Sequence, residues 1–196
     1  MGDHLQGLNI YLIGMMGTGK TTVGQVLAKE LGYRFFDTDV LIERVAQKRI
    51  NELFAEEGEA FFRDLESRVL GEVSACTRSV MATGGGVVLR PLNWSYLRHG
   101  LIIWLNVPIC LLVERLAEDD ARPLLKTDEL PLKLETLLVE RKSLYQEADL
   151  HIAITKDENP EQIVAKILAK IPNVLKSSEK LTRRDSENPE DPNEFN

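Results

Sequence analysis

Residues 14–21 of this chain read Gly-Met-Met-Gly-Thr-Gly-Lys-Thr, a glycine-rich loop that ends in a lysine and a hydroxyl residue. A short apolar run at residues 8–13 precedes the loop, and residues 21–31 follow it with apolar side chains at helical spacing. In such a setting the backbone N–H groups turn around phosphate oxygens, and the helix N-terminus adds a favourable dipole. Lys20 then reaches the β- and γ-phosphates, and the Thr21 hydroxyl coordinates Mg²⁺. A plain glycine turn with a solvated lysine is the alternative, but the flanking strand and helix favour a nucleoside triphosphate site.

The alternation of strand and helix continues along the chain. Apolar runs predict further strands at residues 34–37, 79–82, 101–105 and 150–155. Helical spacing predicts further helices at residues 39–48, 59–75, 108–116, 132–148 and 160–170. Alternating strands and helices build βαβ units, whose strands form a parallel sheet covered on both faces. We therefore expect a three-layer α/β/α fold with a central parallel five-stranded sheet.

Two segments lack an apolar period. Residues 118–131 are polar and contain two prolines, which predicts a mobile lid. Residues 176–196 have almost no apolar side chains and carry four basic against six acidic groups. That composition predicts a disordered acidic tail after a single domain at residues 1–175.

The overall composition describes a globular chain with an acidic surface. Of its 196 residues 43% are hydrophobic, and 24 Lys and Arg against 31 Asp and Glu give a net charge of −7. This charge argues against a general nucleic-acid-binding protein. Cys76 and Cys110 have no metal-binding spacing, and no apolar run is long enough to span a bilayer. We expect a cytoplasmic protein with no nucleic-acid or membrane partner, and the mature form of a plastid protein also fits.

Asp37, Thr38 and Asp39 close the second predicted strand. Residues two apart on an extended segment point the same way, so both carboxylates can face the crevice above the strand ends. One carboxylate can hold Mg²⁺, directly or through water, while the other accepts a proton from an attacking hydroxyl or orients it. Either aspartate could instead cap the next helix, but the neighbouring phosphate loop favours the acceptor role.

A glycine triplet and an arginine on an apolar helix face are further candidates. Gly84, Gly85 and Gly86 follow the predicted strand at residues 79–82, which suits either a backbone that a ligand approaches closely or a flexible turn. Arg141 shares a helical stripe with apolar residues. A guanidinium there needs an anion, because an unpaired buried charge is costly. A structural ion pair or a stem that extends to water is the alternative.

Two other arginines have simpler explanations. Arg63 has Glu59 four residues before it and Glu66 three residues after it, so ordinary surface ion pairs explain it. Arg122 lies within residues 118–131, where a solvated charge is ordinary. A loop arginine that closes over phosphates would instead stabilise the transition state.

Taken in order, these features resemble the shikimate kinase family from Leu8 to about Ile171. The resemblance rests on GMMGTGKTT, FFDTDVLIE, EEGEAFFRDLE, ATGGGVVLR, RPLL and ERKSLYQEAD. It implies a P-loop fold like that of nucleoside monophosphate kinases, with a lid that closes over substrates. It also implies transfer of the ATP γ-phosphate to the 3-hydroxyl of shikimate, in chorismate and aromatic amino-acid biosynthesis. Family members are commonly monomers, so we expect a monomer whose ligands are ATP, Mg²⁺ and shikimate.

The resemblance also implies roles for individual residues. Asp39 would bind the shikimate hydroxyls and act as the base, while Arg63 and Arg141 would grip the carboxylate. The glycine triplet, Gly85 above all, would hold the same substrate. ATP would contact Gly17, Thr18, Gly19, Lys20, Thr21, Thr22, Arg115 and the lid arginine Arg122. Thr21 would bind Mg²⁺ with Asp37 nearby.

One position departs from the family, and two other functions are open. Where some members carry an arginine near adenine before the last helix, this chain has Glu158. A kinase of the same fold for gluconate or a nucleotide is one alternative, although the paired aspartates and Arg141 suit a hydroxylated carboxylic acid better. An inactive nucleotide-binding relative is the other, although Lys20 and Asp39, which such proteins tend to lose, are both present.

Overall fold

The five strands of the computed structural model form one parallel sheet. The structure describes Leu5, residues 7–117 and residues 129–186, with the backbone alone at residues 176–186. The strands are β1 (Ile10–Ile13), β2 (Arg34–Asp37), β3 (Ser79–Ala82), β4 (Leu101–Asn106) and β5 (Leu150–Ala153). Their order is β2-β3-β1-β4-β5, and every neighbouring pair is parallel. The predicted sheet is confirmed.

The helices between the strands cover the sheet. They are α1 (Lys20–Leu31), α2 (Thr38–Ala46), α3 (Ile50–Glu56), α4 (Gly58–Ser74), α5 (Pro91–Leu97), α6 (Ile109–Ala117), α7 (Leu130–Tyr145) and α8 (Pro160–Ser186). The side chains of β1 are fully buried at the centre of the sheet, while those of β5 alternate between buried and exposed. A strand buried on both faces reads as a continuous apolar run, which is why β1 was recognisable. None of the helices in these described ranges is long and apolar enough to cross a membrane.

A second, smaller core holds α2, α3 and α4 together. Its buried members are Ile42, Leu53, Phe62, Leu65 and Val69. Because Asp39 lies on α2 and both Arg63 and Glu66 lie on α4, this small core fixes the relative positions of three polar side chains. The packing therefore matters for the site as well as for stability.

Three elements differ from the prediction. The sequence did not predict α3 or α5, which are seven residues each and too short to show a full apolar period. Helix α8 was predicted to end at residue 170 but continues through Pro172 to Ser186. The helical backbone thus passes Lys176, where the sequence predicts the start of a tail, and the end of the folded domain at residue 175 stays a prediction. Lys, Glu, Leu and Arg at residues 176–186 are good helix formers, and extending an existing helix is far easier than starting one.

Candidate active site

Three loops meet at the carboxyl edge of the sheet. Residues 14–21 follow β1, Asp37 ends β2, and the glycine triplet at residues 84–86 follows β3. Because β3 lies between β2 and β1, parallel strands bring all three loops to the same crevice. The topology thus assembles the phosphate loop (residues 14–21) beside the two aspartates and the triplet.

The phosphate loop has the backbone that its glycines predict. Gly17 and Gly19 have φ angles of 76° and 86°, a left-handed conformation that other residues rarely adopt. Lys20 is buried, and its Nζ donates to the carbonyl oxygens of Gly14 at 2.9 Å and Met15 at 2.8 Å. The ammonium group thus lies against the loop that would carry phosphate. Thr21 and Thr22 are exposed on the first turn of α1.

Thr21 and Asp37 meet as predicted for a magnesium site. Thr21 Oγ1 donates to Asp37 Oδ2 at 2.6 Å. Asp37 Oδ1 accepts from the backbone N–H groups of Asp39 at 3.0 Å and Val40 at 3.3 Å, which caps α2. Asp37 therefore caps α2, and its other oxygen lies beside the Thr21 hydroxyl. A hydroxyl and a carboxylate side by side are the hard oxygen donors that Mg²⁺ prefers, so these residues fit the metal.

Asp39 lies at the crevice, but its backbone is helical and not extended as predicted. It lies in the first turn of α2 rather than on an extended segment, so strand alternation does not align it with Asp37. A Cβ on Gly84 would lie 2.8 Å from Asp39 Oδ1, which places the carboxylate directly against the triplet. The backbone N–H of Gly84 donates to Thr38 Oγ1 at 3.1 Å. Thr38 is fully buried and joins the two motifs, and no local sequence pattern predicts this contact.

Arg63 has the two predicted partners, but one of them is not on the surface. Its Nη1 donates to Glu66 Oε2 at 2.9 Å, and its Nη2 donates to Glu59 Oε1 at 3.1 Å. Glu66 is 1% exposed, and the Arg63 side chain only 12%. A Cβ on Gly86 would overlap the Arg63 guanidinium, so glycine is required for this close approach. The prediction of ordinary surface pairs is wrong for Glu66, since the buried face of α4 carries it.

Glu66 is a site residue that the sequence analysis missed. Burial raises the pKa of its carboxyl group, Asp39 raises it further, and the charges of Arg63 and Arg141 lower it. A Cβ on Gly84 would lie 2.8 Å from Glu66 Oε1, just as it would from Asp39. Two carboxylates thus converge on Gly84. The burial of Glu66 could have been predicted from its spacing, because it lies on the same helical stripe as the buried Phe62 and Leu70.

Arg141 extends from α7 into the crevice. It is 9% exposed, and among the described residues it forms no ion pair and its Nε has no hydrogen-bond partner. Its Nη1 lies 3.7 Å from where a Cβ on Gly85 would be. A buried guanidinium without an anionic partner is costly. One alternative named for Arg141 was a structural ion pair. No such pair is found among the described residues.

Comparison with known proteins places the chain in a family. A family model described as shikimate kinase matches residues 16–172. Shikimate kinases of Rippkaea orientalis and Microcystis aeruginosa are 62% and 58% identical over 172 and 174 residues, which cover 88% and 89% of this chain and 92% of each relative.

The chain belongs to the shikimate kinase family. A solved structure of shikimate kinase from Acinetobacter baumannii, in complex with shikimate, superimposes with a TM-score of 0.77 at 37% identity. It covers 86% of this chain and 94% of that one. The resemblance seen in the sequence is confirmed, and with it the P-loop kinase fold.

Of the two arginines predicted on the nucleotide side, the structure describes Arg115. Arg115 Nη1 donates to the carbonyl oxygen of Gly17 at 3.4 Å, so the side chain lies over the phosphate loop, as predicted for an ATP contact. The predicted lid arginine, Arg122, and residues 118–128 lie outside the described residues.

Glu158, the departure from the family, holds a turn. Its Oε2 accepts from Thr155 N at 2.8 Å and from Thr155 Oγ1 at 2.9 Å, and Oε1 forms an ion pair with Lys166. The contacts with Lys166 and Thr155 lower the pKa of this carboxyl group to about 2. The side chain fixes the segment between β5 and α8.

Proposed function

We propose that this protein transfers the γ-phosphate of ATP to the 3-hydroxyl of shikimate, giving shikimate 3-phosphate and ADP. Arg141 is the observation that carries the proposal. This buried guanidinium, which has no ion pair among the described residues, faces Gly85 between the phosphate loop and α4. Shikimate offers a carboxylate to pair with it and ring hydroxyls for the nearby Asp39.

The acceptor pocket supports a substrate that is both acidic and hydroxylated. Arg63 and Arg141 would bind the carboxylate by charge-assisted hydrogen bonds. Glu59 and Glu66 hold the Arg63 guanidinium in place before substrate arrives. Asp39, beside Gly84, would accept hydrogen bonds from ring hydroxyls. Gly84, Gly85 and Gly86 would leave room for the ring, because side chains there would fill the space beside the charged groups.

The chemical step uses groups on opposite sides of the crevice. Asp39 would accept the proton of the 3-hydroxyl while that oxygen attacks the γ-phosphorus, and the bond to the β–γ bridging oxygen breaks to release ADP. Lys20 and the N-terminus of α1 would stabilise the charge on the phosphate oxygens. Arg115 would lie beside the nucleotide. Arg122 would add a further positive charge over the same phosphates.

Thr21 and Asp37 are the residues that would hold Mg²⁺. When bound, this ion supplies positive charge to the phosphate oxygens of ATP. Their two side chains already form a short hydrogen bond, so little rearrangement is needed to present both oxygens to a cation. Gly17, Thr18, Gly19 and Thr22 complete the expected ATP contacts.

ADP release tests the proposal. Purified protein with MgATP should release ADP only when shikimate is added, and gluconate or a nucleoside monophosphate at the same concentration should give background rates. Lys20→Met is the matched control, since a folded variant should lose about 100-fold or more in turnover. If ADP release depended on gluconate or a nucleoside monophosphate instead, that compound would be the acceptor and the proposal would be wrong. Equal turnover by Lys20→Met would contradict the phosphate-loop assignment.

We further propose that the enzyme acts as a cytoplasmic monomer, or in mature form inside a plastid, with ATP and shikimate as its ligands. The acidic net charge of −7 supports the absence of a nucleic-acid partner. Sedimentation equilibrium of the purified chain tests the monomer, and a mass of twice 22.1 kDa would contradict it.

A further inference from the structure

Tyr145 lies behind the glycine triplet and contacts it directly. Its hydroxyl donates to the carbonyl oxygen of Gly85 at 2.6 Å. The side chain is fully buried, and its ring stacks on Trp104 of β4 with the ring centres 5.8 Å apart. Tyr145 is the last residue of α7, four positions after Arg141, so both side chains extend from the same face of that helix.

Gly85 separates the phosphate loop from the acceptor pocket. A Cβ at this position would lie 3.4 Å from the backbone nitrogen of Met16 and 3.5 Å from the carbonyl oxygen of Gly14. The Tyr145 hydroxyl also lies 3.7 Å from Met15 Sδ, on the same loop. The carbonyl oxygen is the nearer and stronger acceptor, so the single hydroxyl proton goes to Gly85. One phenol group thus joins α7, the triplet and the phosphate loop.

The hydrogen bond to Gly85 orients the whole Gly85–Gly86 peptide plane, and not only the Gly85 carbonyl group. In a trans peptide the C=O of Gly85 and the N–H of Gly86 lie in one plane and point in opposite directions. Holding the oxygen towards Tyr145 therefore turns the N–H of Gly86 away from Tyr145. Glycine has little backbone preference of its own. The carbonyl groups of Gly84 and Gly86 accept from Val87 and Leu89, and the Tyr145 hydroxyl holds the carbonyl of Gly85 between them.

We propose that Tyr145 is a positioning residue: its hydroxyl sets the orientation of the Gly85–Gly86 peptide that lines the acceptor pocket, beside Arg141 from the same helix. The inference rests on the proposed function, because it concerns how the pocket receives shikimate. Tyr145 does not touch the reacting atoms. It acts on acceptor binding through the triplet.

Tyr145→Phe removes the hydroxyl and keeps the ring that stacks on Trp104. It leaves the partly buried Gly85 oxygen without its donor, a loss typically worth about tenfold in an equilibrium constant. Tyr11→Phe is the matched control. Tyr11 is also fully buried, but its hydroxyl has no hydrogen-bond partner among the described residues. The control therefore makes the same chemical change without breaking a contact to the triplet.

Steady-state kinetics with both substrates tests the proposal. We expect Tyr145→Phe to raise the KM for shikimate about fivefold to tenfold, with the KM for ATP changed less than twofold, and Tyr11→Phe to change neither. In ¹⁵N-labelled protein, the Gly86 amide resonance should move in Tyr145→Phe and its response to added shikimate should shrink. A purely structural role would raise both KM values together, and that result would overturn the proposal. An unchanged shikimate KM and an unmoved Gly86 resonance would overturn it as well.

The wild-type enzyme separates this inference from the function on which it rests. Wild-type protein that releases no ADP with shikimate would overturn the proposed function and this inference with it. An active wild type whose Tyr145→Phe variant has wild-type constants would overturn the role of Tyr145 alone.

Discussion

Single carboxylates in this site have more than one partner. Asp37 caps α2 with one oxygen and accepts a hydrogen bond from the Thr21 hydroxyl with the other, so one side chain both starts a helix and contacts the phosphate loop. Glu66 orients Arg63 and lies against the same glycine as Asp39. The positions of these groups are set by packing, because α2 and α4 share the small core.

Arg141→Lys tests the carboxylate grip. Lysine keeps the charge but cannot form the two parallel hydrogen bonds that a guanidinium offers to a carboxylate. We expect shikimate to bind about tenfold more weakly or worse, with ATP affinity little changed. Calorimetric titration of each ligand measures both. An equal loss for the two ligands would mark Arg141 as a structural residue.

Glu66→Gln tests whether burial raises the pKa of the Glu66 carboxyl group in the folded protein. Burial raises its pKa in the folded protein above the value in the unfolded chain. The folded state therefore binds the proton more tightly, so this group favours folding below the unfolded pKa and loses that contribution as pH rises through the folded pKa. Glutamine cannot titrate.

The free energy of unfolding of Glu66→Gln should then rise relative to wild type as pH increases from 4.5 to 7.5. The difference should grow by about 1.4 kcal/mol for each pH unit between the two pKa values. Urea unfolding at several pH values measures it, with Glu59→Gln as an exposed control. A difference that is flat or falls with pH would show that the Glu66 carboxylate is not destabilised by burial.

Among the secondary-structure elements, the short segments between strands place the site residues, and they are the hardest to predict from the sequence. Strands β1 and β4 and helix α1 were predictable, because buried parallel strands are continuous apolar runs and α1 has a full apolar stripe. Helices α3 and α5 are too short to show a period. The sequence analysis placed Asp37 and Asp39 together on an extended segment, whereas the structure shows its alternative, in which Asp37 caps α2 and Asp39 lies in the first turn.

Glu158→Gln tests whether the charge of Glu158 stabilises the turn before α8. Lys166 and Thr155 hold the pKa of Glu158 at about 2, below its unfolded value, so its contribution is present above the unfolded pKa and lost as pH falls towards 2. Glu158→Gln should therefore lower the melting temperature at pH 7 by several degrees, and by less at pH 3.5. Calorimetry at the two pH values checks this. An equal effect at both would mean that the charge of Glu158 does not stabilise the turn.

For the whole molecule, the parallel five-stranded sheet and the family were predictable from the sequence, because motifs with fixed spacing sit at the ends of predictable strands. Thr38, Glu66 and Tyr145 did not follow. Their roles come from contacts with the glycine triplet that join distant parts of the chain, and no local pattern encodes such contacts.

Removing residues 176–196 tests where the folded domain ends. Among the α8 side chains that the structure describes, up to residue 175, Ile171 is the last buried one, and Val174 and Leu175 pack against the core at its edge. Truncation after Leu175 keeps all of these, so we expect the melting temperature to fall by less than about 2 °C, with turnover unchanged. A loss of 1 kcal/mol would lower it by about 2–4 °C in a domain of this size. A larger fall would show that the removed segment docks on the domain.

The most direct test of the whole molecule's function is the identity of its product. Wild-type protein with MgATP and shikimate should give one phosphorylated product, and ³¹P–¹H correlation NMR should place the phosphate on the oxygen at ring position 3. Phosphate on another hydroxyl, or ATP hydrolysis that leaves shikimate unmodified, would contradict the proposed transfer.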